Sequence, residues 1–300
     1  AWERRPFSLC SDGSVPASNL RIVKAMVAKF RFLAPILLIV QALSSNAHAT
    51  GDPVRGEYVF HAGGCMSCHT GKGSPLLAGG HRLETPFGTF VAPNITPDAE
   101  TGIGGWSDDD FIRAMTEGIS PDGRPYYPAF PFTSYMRMSD RDLRDLKAWL
   151  DTVPPINKPN ASHTLKFPYS VRSGLWAWRL AFFKAQPFTA ETDKPKAWNR
   201  GAYLVTGAGH CGECHSPRNF AGVVDEKRAL AGTKNGPDGK PVPGLRPDDD
   251  IGDWSEGDIV FALQLGLTPD GDSLGGAMAD VIEHNTGKLT DDDLKAIAVY

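Results

Sequence analysis

The chain has 300 residues, 41% of them hydrophobic, with 31 Lys and Arg against 35 Asp and Glu and a formal net charge of −4. An acid-leaning balance disfavours nucleic acid as a partner and suits docking to a basic patch on another protein. Downstream of residue 50 no apolar run is long enough to be a transmembrane helix.

In chain order, the first feature is a leader. Arg21, Lys24, Lys29 and Arg31 form a basic region, Phe32 to Leu43 an apolar core too short to span a bilayer, and Ala47-His48-Ala49 a small-residue cleavage site. Residues 1–49 are therefore expected to be an upstream segment and signal peptide, and export to the periplasm follows. Removing six basic residues and two acids leaves 25 basic and 33 acidic residues, a formal charge of −8.

The periodicity predicts helices over 54–61, 108–117 and 139–150, and again over 199–206, 255–265 and 290–300. Pro53 suits the first turn of the first helix. Ser139 is an N-cap candidate, with Asp142 completing a capping-box analogue. Long Gly/Pro-rich stretches lie between the helices. The acidic runs at 108–110, 248–250 and 291–293 read as helix-start charges and loop acids rather than metal ligands. Residues 151–198 carry six prolines and the aromatic stretch Leu175 to Phe183. They read as a strap across both halves or as a partner- or membrane-facing anchor.

Two strings dominate the chemistry: Cys65-Met66-Ser67-Cys68-His69 and Cys211-Gly212-Glu213-Cys214-His215. Each is C-x-x-C-H, the attachment site of a c-type haem. Two thiols three residues apart on one helical turn reach both vinyl groups of a porphyrin, and the adjoining histidine then lies under the iron. Cys65, Cys68, Cys211 and Cys214 are thus the covalent attachment residues of two haems c, and His69 and His215 the proximal ligands. Pro75 and Pro217 follow closely and are candidates to supply a carbonyl to each histidine's free N–H. An all-thiolate zinc site built from the four cysteines explains neither histidine nor the repeat.

The strings sit inside a duplication. Trp106–Phe111 recurs as Trp254–Ile259 and Gly118–Gly123 as Gly266–Gly271, both displaced by 148 positions. Arg55–Val59 matches Arg200–Leu204, and Ser139–Leu143 matches Thr290–Leu294. The expected organisation is one domain over 50–152, a linker over 153–197 and a second domain over 198–300. The sequence ends inside a predicted helix at Tyr300, so a further C-terminal segment is expected.

A thioether as sixth ligand gives a closed, higher-potential iron; an open position admits small molecules. In the second half Met278, in Gly275-Gly276-Ala277-Met278, is the candidate. The displacement of 148 puts Phe130 at the matching place in the first half, and phenylalanine cannot ligate iron. Met138 is the favoured substitute and Met136 the next. His81 or a five-coordinate iron are the other possibilities.

Thr85–Phe90, Asn94–Asp98, Thr101–Ser107 and Asp122–Ala129, as Thr-Pro-Phe-Gly-Thr-Phe, Asn-Ile-Thr-Pro-Asp, Thr-Gly-Ile-Gly-Gly-Trp-Ser and Asp-Gly-Arg-Pro-Tyr-Tyr-Pro-Ala, resemble the cytochrome c subunits of bacterial membrane-bound alcohol, gluconate and related dehydrogenases. The resemblance covers roughly residues 52–300. It implies an all-α fold of two tandem class I-like cytochrome c domains. It also implies a periplasmic electron-transfer subunit, not itself the catalyst, open to attachment or peripheral association at the cytoplasmic membrane. Such a subunit takes electrons from a dehydrogenase catalytic subunit and passes them to quinone, a terminal oxidase or another cytochrome of the respiratory chain. Two departures stand out: well-known members carry three haems where this chain has two strings, and many have Pro-Ala-Met-Pro where this chain has Pro128-Ala129-Phe130-Pro131. The competing reading is a dihaem redox enzyme of peroxidase or thiosulfate-oxidising type, with the first haem reactive.

Overall fold

A computed structural model describes residues 51–236 and 239–300; the leader and its cleavage site lie outside them. The first half opens with helix α1 (Pro53–Ala62), capped by the Asp52 carboxylate and with proline in its first turn. The short helix α2 (Cys65–His69) follows. Helix α3 (Asp108–Glu117), the single turn α4 (Phe132–Tyr135) and helix α5 (Asp140–Leu150) complete that half. After α6 (Gly174–Phe182), the second half repeats the order: α7 (Lys196–Tyr203), α8 (Gly212–His215), α9 (Glu256–Leu265), α10 (Ala277–His284) and α11 (Asp291–Val299).

The all-helical expectation needs one correction. Within the first long loop, β1 (Arg82–Thr85) and β2 (Gly88–Val91) form an antiparallel hairpin, and β3 (Thr164–Leu165) adds a third strand to β2. Thr85 closes the tight turn, its hydroxyl donating to the Gly88 carbonyl at 2.7 Å. Thr89, Phe90 and Val91 of β2 are all buried, so the strand carries no alternation that would separate it from loop in the sequence.

Each half is built on one helix crossing. At Gly56 a Cβ would lie 1.9 Å from the Asp145 carbonyl oxygen; at Gly201 it would lie 1.9 Å from that of Ala296. Only glycine lets α1 lie on α5, and α7 on α11, this closely. Phe60 stacks on Trp149 at 4.1 Å beside the first crossing. Ser107 with Asp110 and Ser255 with Asp258 form complete capping boxes at α3 and α9. At α5 the box is half formed. Ser139 accepts from the Asp142 N–H, but the Asp142 carboxylate turns away to take the Tyr203 hydroxyl.

That detour is one side of a reciprocal seam. Tyr203, on α7, donates to Asp142 and accepts from the Ser139 N–H at 3.0 Å, completing the start of α5. Tyr58, on α1, donates to Asp293 at 2.6 Å and accepts from the Thr290 N–H at 3.2 Å, completing the start of α11. The first helix of each half thus caps the last helix of the other. Val59, Ala62, Leu204, Ala208 and Met138 fill the seam around a cavity of about 230 Å³.

Of the acidic runs, 108–110 and 291–293 sit in first helical turns, and Asp249 pairs with Arg246 at 2.6 Å. Among the described residues no cluster of His, Cys, Asp and Glu has metal-holding geometry. The strap region touches both halves. The Tyr127 hydroxyl donates to the Tyr169 carbonyl at 3.0 Å, and the Trp178 indole N–H to that of Ala221, also at 3.0 Å. Leu180 and Phe167 of the same stretch are exposed. Among the described residues no helix is long and apolar enough to cross a membrane.

Burial pushes the Asp293 carboxyl up, but Arg200, which grips both its oxygens, and Tyr58 outweigh it and hold it below its ordinary value. A depressed carboxylate stabilises the fold above its unfolded pKa, and that contribution is lost as pH falls through the folded value. Asp293→Asn is therefore expected to lower Tm at neutral pH, with the gap to wild type closing as the buffer is taken below the usual carboxylate range. Thermal melts across an acid series check this.

Candidate haem-attachment sites

The two C-x-x-C-H strings adopt the expected form. Cys65 to His69 and Gly212 to His215 are helical turns, each preceded by a sharp bend. Among the described residues all four cysteines are free of disulfides.

Each histidine is oriented through its Nδ1, but not by the prolines nearest in sequence. His69 Nδ1 donates to the Pro93 carbonyl at 2.8 Å, and His215 Nδ1 to the Pro243 carbonyl at 2.9 Å. These acceptors lie 24 and 28 residues downstream, so Pro75 and Pro217 do not serve. A turn too close in sequence cannot fold back under the ring; the loop must first travel around it. The repeat itself carried the signal, because Ala92-Pro93 and Val242-Pro243 occupy matching places. With Nδ1 committed as donor, Nε2 keeps its lone pair for a metal. Burial lowers both imidazole pKa values against the opposing carbonyls, which favours the neutral, ligating form.

The wall behind each histidine is duplicated in detail. The His69 carbonyl accepts from the Gly79 N–H and the His215 carbonyl from the Gly232 N–H, both at 2.8 Å. Leu77 and Leu230 both take left-handed backbone with φ of 60°, a strained conformation for leucine. Their N–H groups are held by the hydroxyls of Thr70 and Ser216, the residues that follow each histidine.

Three buried side-chain atoms among the described residues lack a hydrogen-bond partner: Ser67 Oγ, Arg113 Nε and Arg172 Nε. The Arg172 guanidinium also lies 5.3 Å over the Tyr127 ring and donates to the Pro125 carbonyl at 2.8 Å. The Arg172 Nε–H, buried and without a partner beside an aromatic wall, fits an anionic acceptor such as a haem carboxylate. The donor set and these orphans together fit a covalently held haem.

The sixth-ligand candidates are placed unequally. Met278 is half-buried at the start of α10, after Gly276, whose φ of 63° and ψ of −142° only glycine adopts readily. Met138 is buried in the seam, where a Cβ at Gly207 would lie 3.9 Å from its Cγ. Met136 is buried and its sulfur accepts from the Gln186 N–H at 3.4 Å. His81 lies on the His69 side, its carbonyl paired with the Ala92 N–H next to Pro93.

The attachment turns of the two halves meet. The Tyr135 hydroxyl donates to the Gly63 carbonyl at 3.0 Å, and its ring packs edge-on to His210 at 5.4 Å. The Asn285 amide donates to the Ala62 carbonyl at 3.3 Å, and His61 Nδ1 contacts the His284 carbonyl at 3.1 Å. Glu213, inside the second string, accepts from Thr133 and Ser134 of the first half at 3.1 and 2.6 Å. Burial opposes its ionisation, but Arg218 and Ser134 keep its pKa below the ordinary value. Sequence reasoning missed Tyr135, Asn285 and Glu213 because their partners lie 72 to 223 positions away.

The model of the cytochrome c family matches residues 53–154. A diheme cytochrome c-type protein of Cereibacter sphaeroides is 48% identical over 260 residues, covering 85% of this chain and 86% of that protein. The fructose dehydrogenase cytochrome subunit of Gluconobacter japonicus is 38% identical over 249 residues, 82% of this chain and 51% of its own length. The gluconate 2-dehydrogenase cytochrome c subunit of Pantoea cypripedii is 41% identical over 260 residues, 82% of this chain and 58% of that subunit. The chain thus spans between half and three-fifths of these two dehydrogenase subunits.

Tyr135→Phe removes the hydroxyl that pairs with the buried Gly63 carbonyl beside Cys65. It is expected to cost about 1–2 kcal/mol of stability, read as a lower midpoint in urea unfolding, without loss of either Nδ1–carbonyl contact.

Proposed function

The chain belongs to the cytochrome c family, and on that premise we propose that it is a periplasmic dihaem electron-transfer subunit. It accepts electrons from a dehydrogenase catalytic subunit and delivers them to the respiratory chain, through quinone, a terminal oxidase or another cytochrome. The observation that carries the reading is the meeting of the two attachment turns at Ala62–Gly63 and His210. A carrier that moves electrons through two haems needs them held close by the protein.

Two tandem cytochrome c domains, over 50–152 and 198–300, each carry one haem c on this reading, joined by the 153–197 strap. The duplicated histidine walls and helix crossings support it. Cys65 with Cys68, and Cys211 with Cys214, hold the porphyrins by thioether bonds. His69 and His215 are the proximal ligands, fixed in orientation by the Pro93 and Pro243 carbonyls. Met278 closes the second iron. Haem supplies a one-electron couple; the chain sets its potential through axial ligand, burial and hydrogen bonding.

The relatives named as subunits of fructose and gluconate dehydrogenases support the role of carrier over that of catalyst. The acidic surface left after removal of the leader suits a basic docking face on the donor or acceptor. Exposed Trp176 and Leu180 on α6 suit peripheral contact with a membrane or a partner subunit.

Met278→Ala is expected to lower one of two midpoint potentials in a redox titration of the holoprotein, the other staying put, because a thioether favours ferrous iron. Two unchanged midpoints would remove Met278 from the ligand set.

A further inference from the structure

The two halves repeat each other on the histidine side of their sites and differ on the opposite side. The loop that follows α3 folds back so that the Tyr126 N–H donates to the Gly118 carbonyl at 2.8 Å. In the second half the Leu274 N–H donates to the Gly266 carbonyl at the same distance. The register is therefore locked in both loops, and four residues further on stand Phe130 and Met278. The aromatic residue occupies the methionine's place without slippage.

Phe130 belongs to the first site. Its ring centroid lies 5.8 Å from that of Tyr135, whose hydroxyl reaches the carbonyl of Gly63 beside the first attachment turn. Tyr126 packs edge-on to it at 5.6 Å.

The other sulfurs of the first half pack as follows. Met136 accepts the Gln186 N–H and is buried under the strap. Met138 lines the seam cavity with Leu204 and Ala208, and its counterpart Leu289 is buried in the same core, so an apolar side chain is what the position needs. Met115 stands where α9 has Leu263, and Met66 lies within the first string itself. His81 is on the His69 side. Met136 and Met138 are thus committed to strap and seam packing.

We propose that the iron held by His69 binds a neutral diatomic ligand, of the carbon monoxide and nitric oxide class, at the coordination position that Met278 closes in the second half. A five-coordinate ferrous haem has an open position for such ligands. An aromatic roof favours them over anions, which must shed water to enter. A ligand that binds only the reduced iron stabilises that state by mass action and takes this haem out of the electron path. The carrier is thereby sensitive to the gas, while the second haem is not. The inference rests on the dihaem reading above.

The test uses the holoprotein, with haem content from the pyridine haemochrome and visible spectra of the dithionite-reduced form with and without carbon monoxide. The expected result is two haems per chain, one of which shifts its Soret band on adding the gas. Phe130→Met is expected to abolish the shift, and Met136→Leu/Met138→Leu to retain it. Two haems with no shift would overturn the proposal and leave the carrier reading intact. A shift seen only in Met136→Leu/Met138→Leu would also overturn it, by identifying a native sulfur ligand. Fewer than two haems would overturn the dihaem reading and the proposal with it.

Discussion

The reciprocal clasp of Tyr58 on Asp293 and Tyr203 on Asp142 is the constraint on which the rest of the structure depends. Each tyrosine stands on the first helix of one half and finishes the N-terminus of the last helix of the other. Since that first helix leads into the attachment string, the clasp brings both strings to the seam. The pattern is that of a two-fold dimer interface, in which one surface pairs with its own copy. Here both copies lie on one chain, so the two sides are free to diverge.

They have diverged unequally. The face behind each histidine is duplicated down to a left-handed leucine and the hydroxyl that holds its N–H. That face serves a single task, presenting Nε2 of a fixed imidazole, and any change would tilt the ring. The opposite face decides whether the iron is closed. There the second half has Met278 on a glycine hinge and the first half has Phe130 in an aromatic nest with Tyr126 and Tyr135. On the proposed reading, one chain combines a site closed by Met278 with one roofed by Phe130.

Much of this was legible in the sequence because it rests on local rules. The C-x-x-C-H strings, the serine caps of α3 and α9, and the helix periods depend on residues within one or two turns. The 148-residue displacement brought Phe130 opposite Met278, and the loop hydrogen bonds keep that pairing. What was not legible depends on long-range placement. Pro93 and Pro243 reach their histidines only after a loop has gone around the site. Asp142 reads as a capping-box residue, yet its carboxylate serves a tyrosine 61 positions away. In the β1–β2 hairpin, β2 carries no alternation to mark it as a strand. Met138 precedes the cap of α5, and its burial beside Leu204 and Ala208 depends on how the other half packs against it.

Two haems held close by the seam, with unequal irons, make up the central claim, and electron paramagnetic resonance of the oxidised holoprotein tests it most directly. The account predicts one high-spin and one low-spin ferric signal in equal amounts, each broadened by the other. Two low-spin signals without mutual broadening would contradict it.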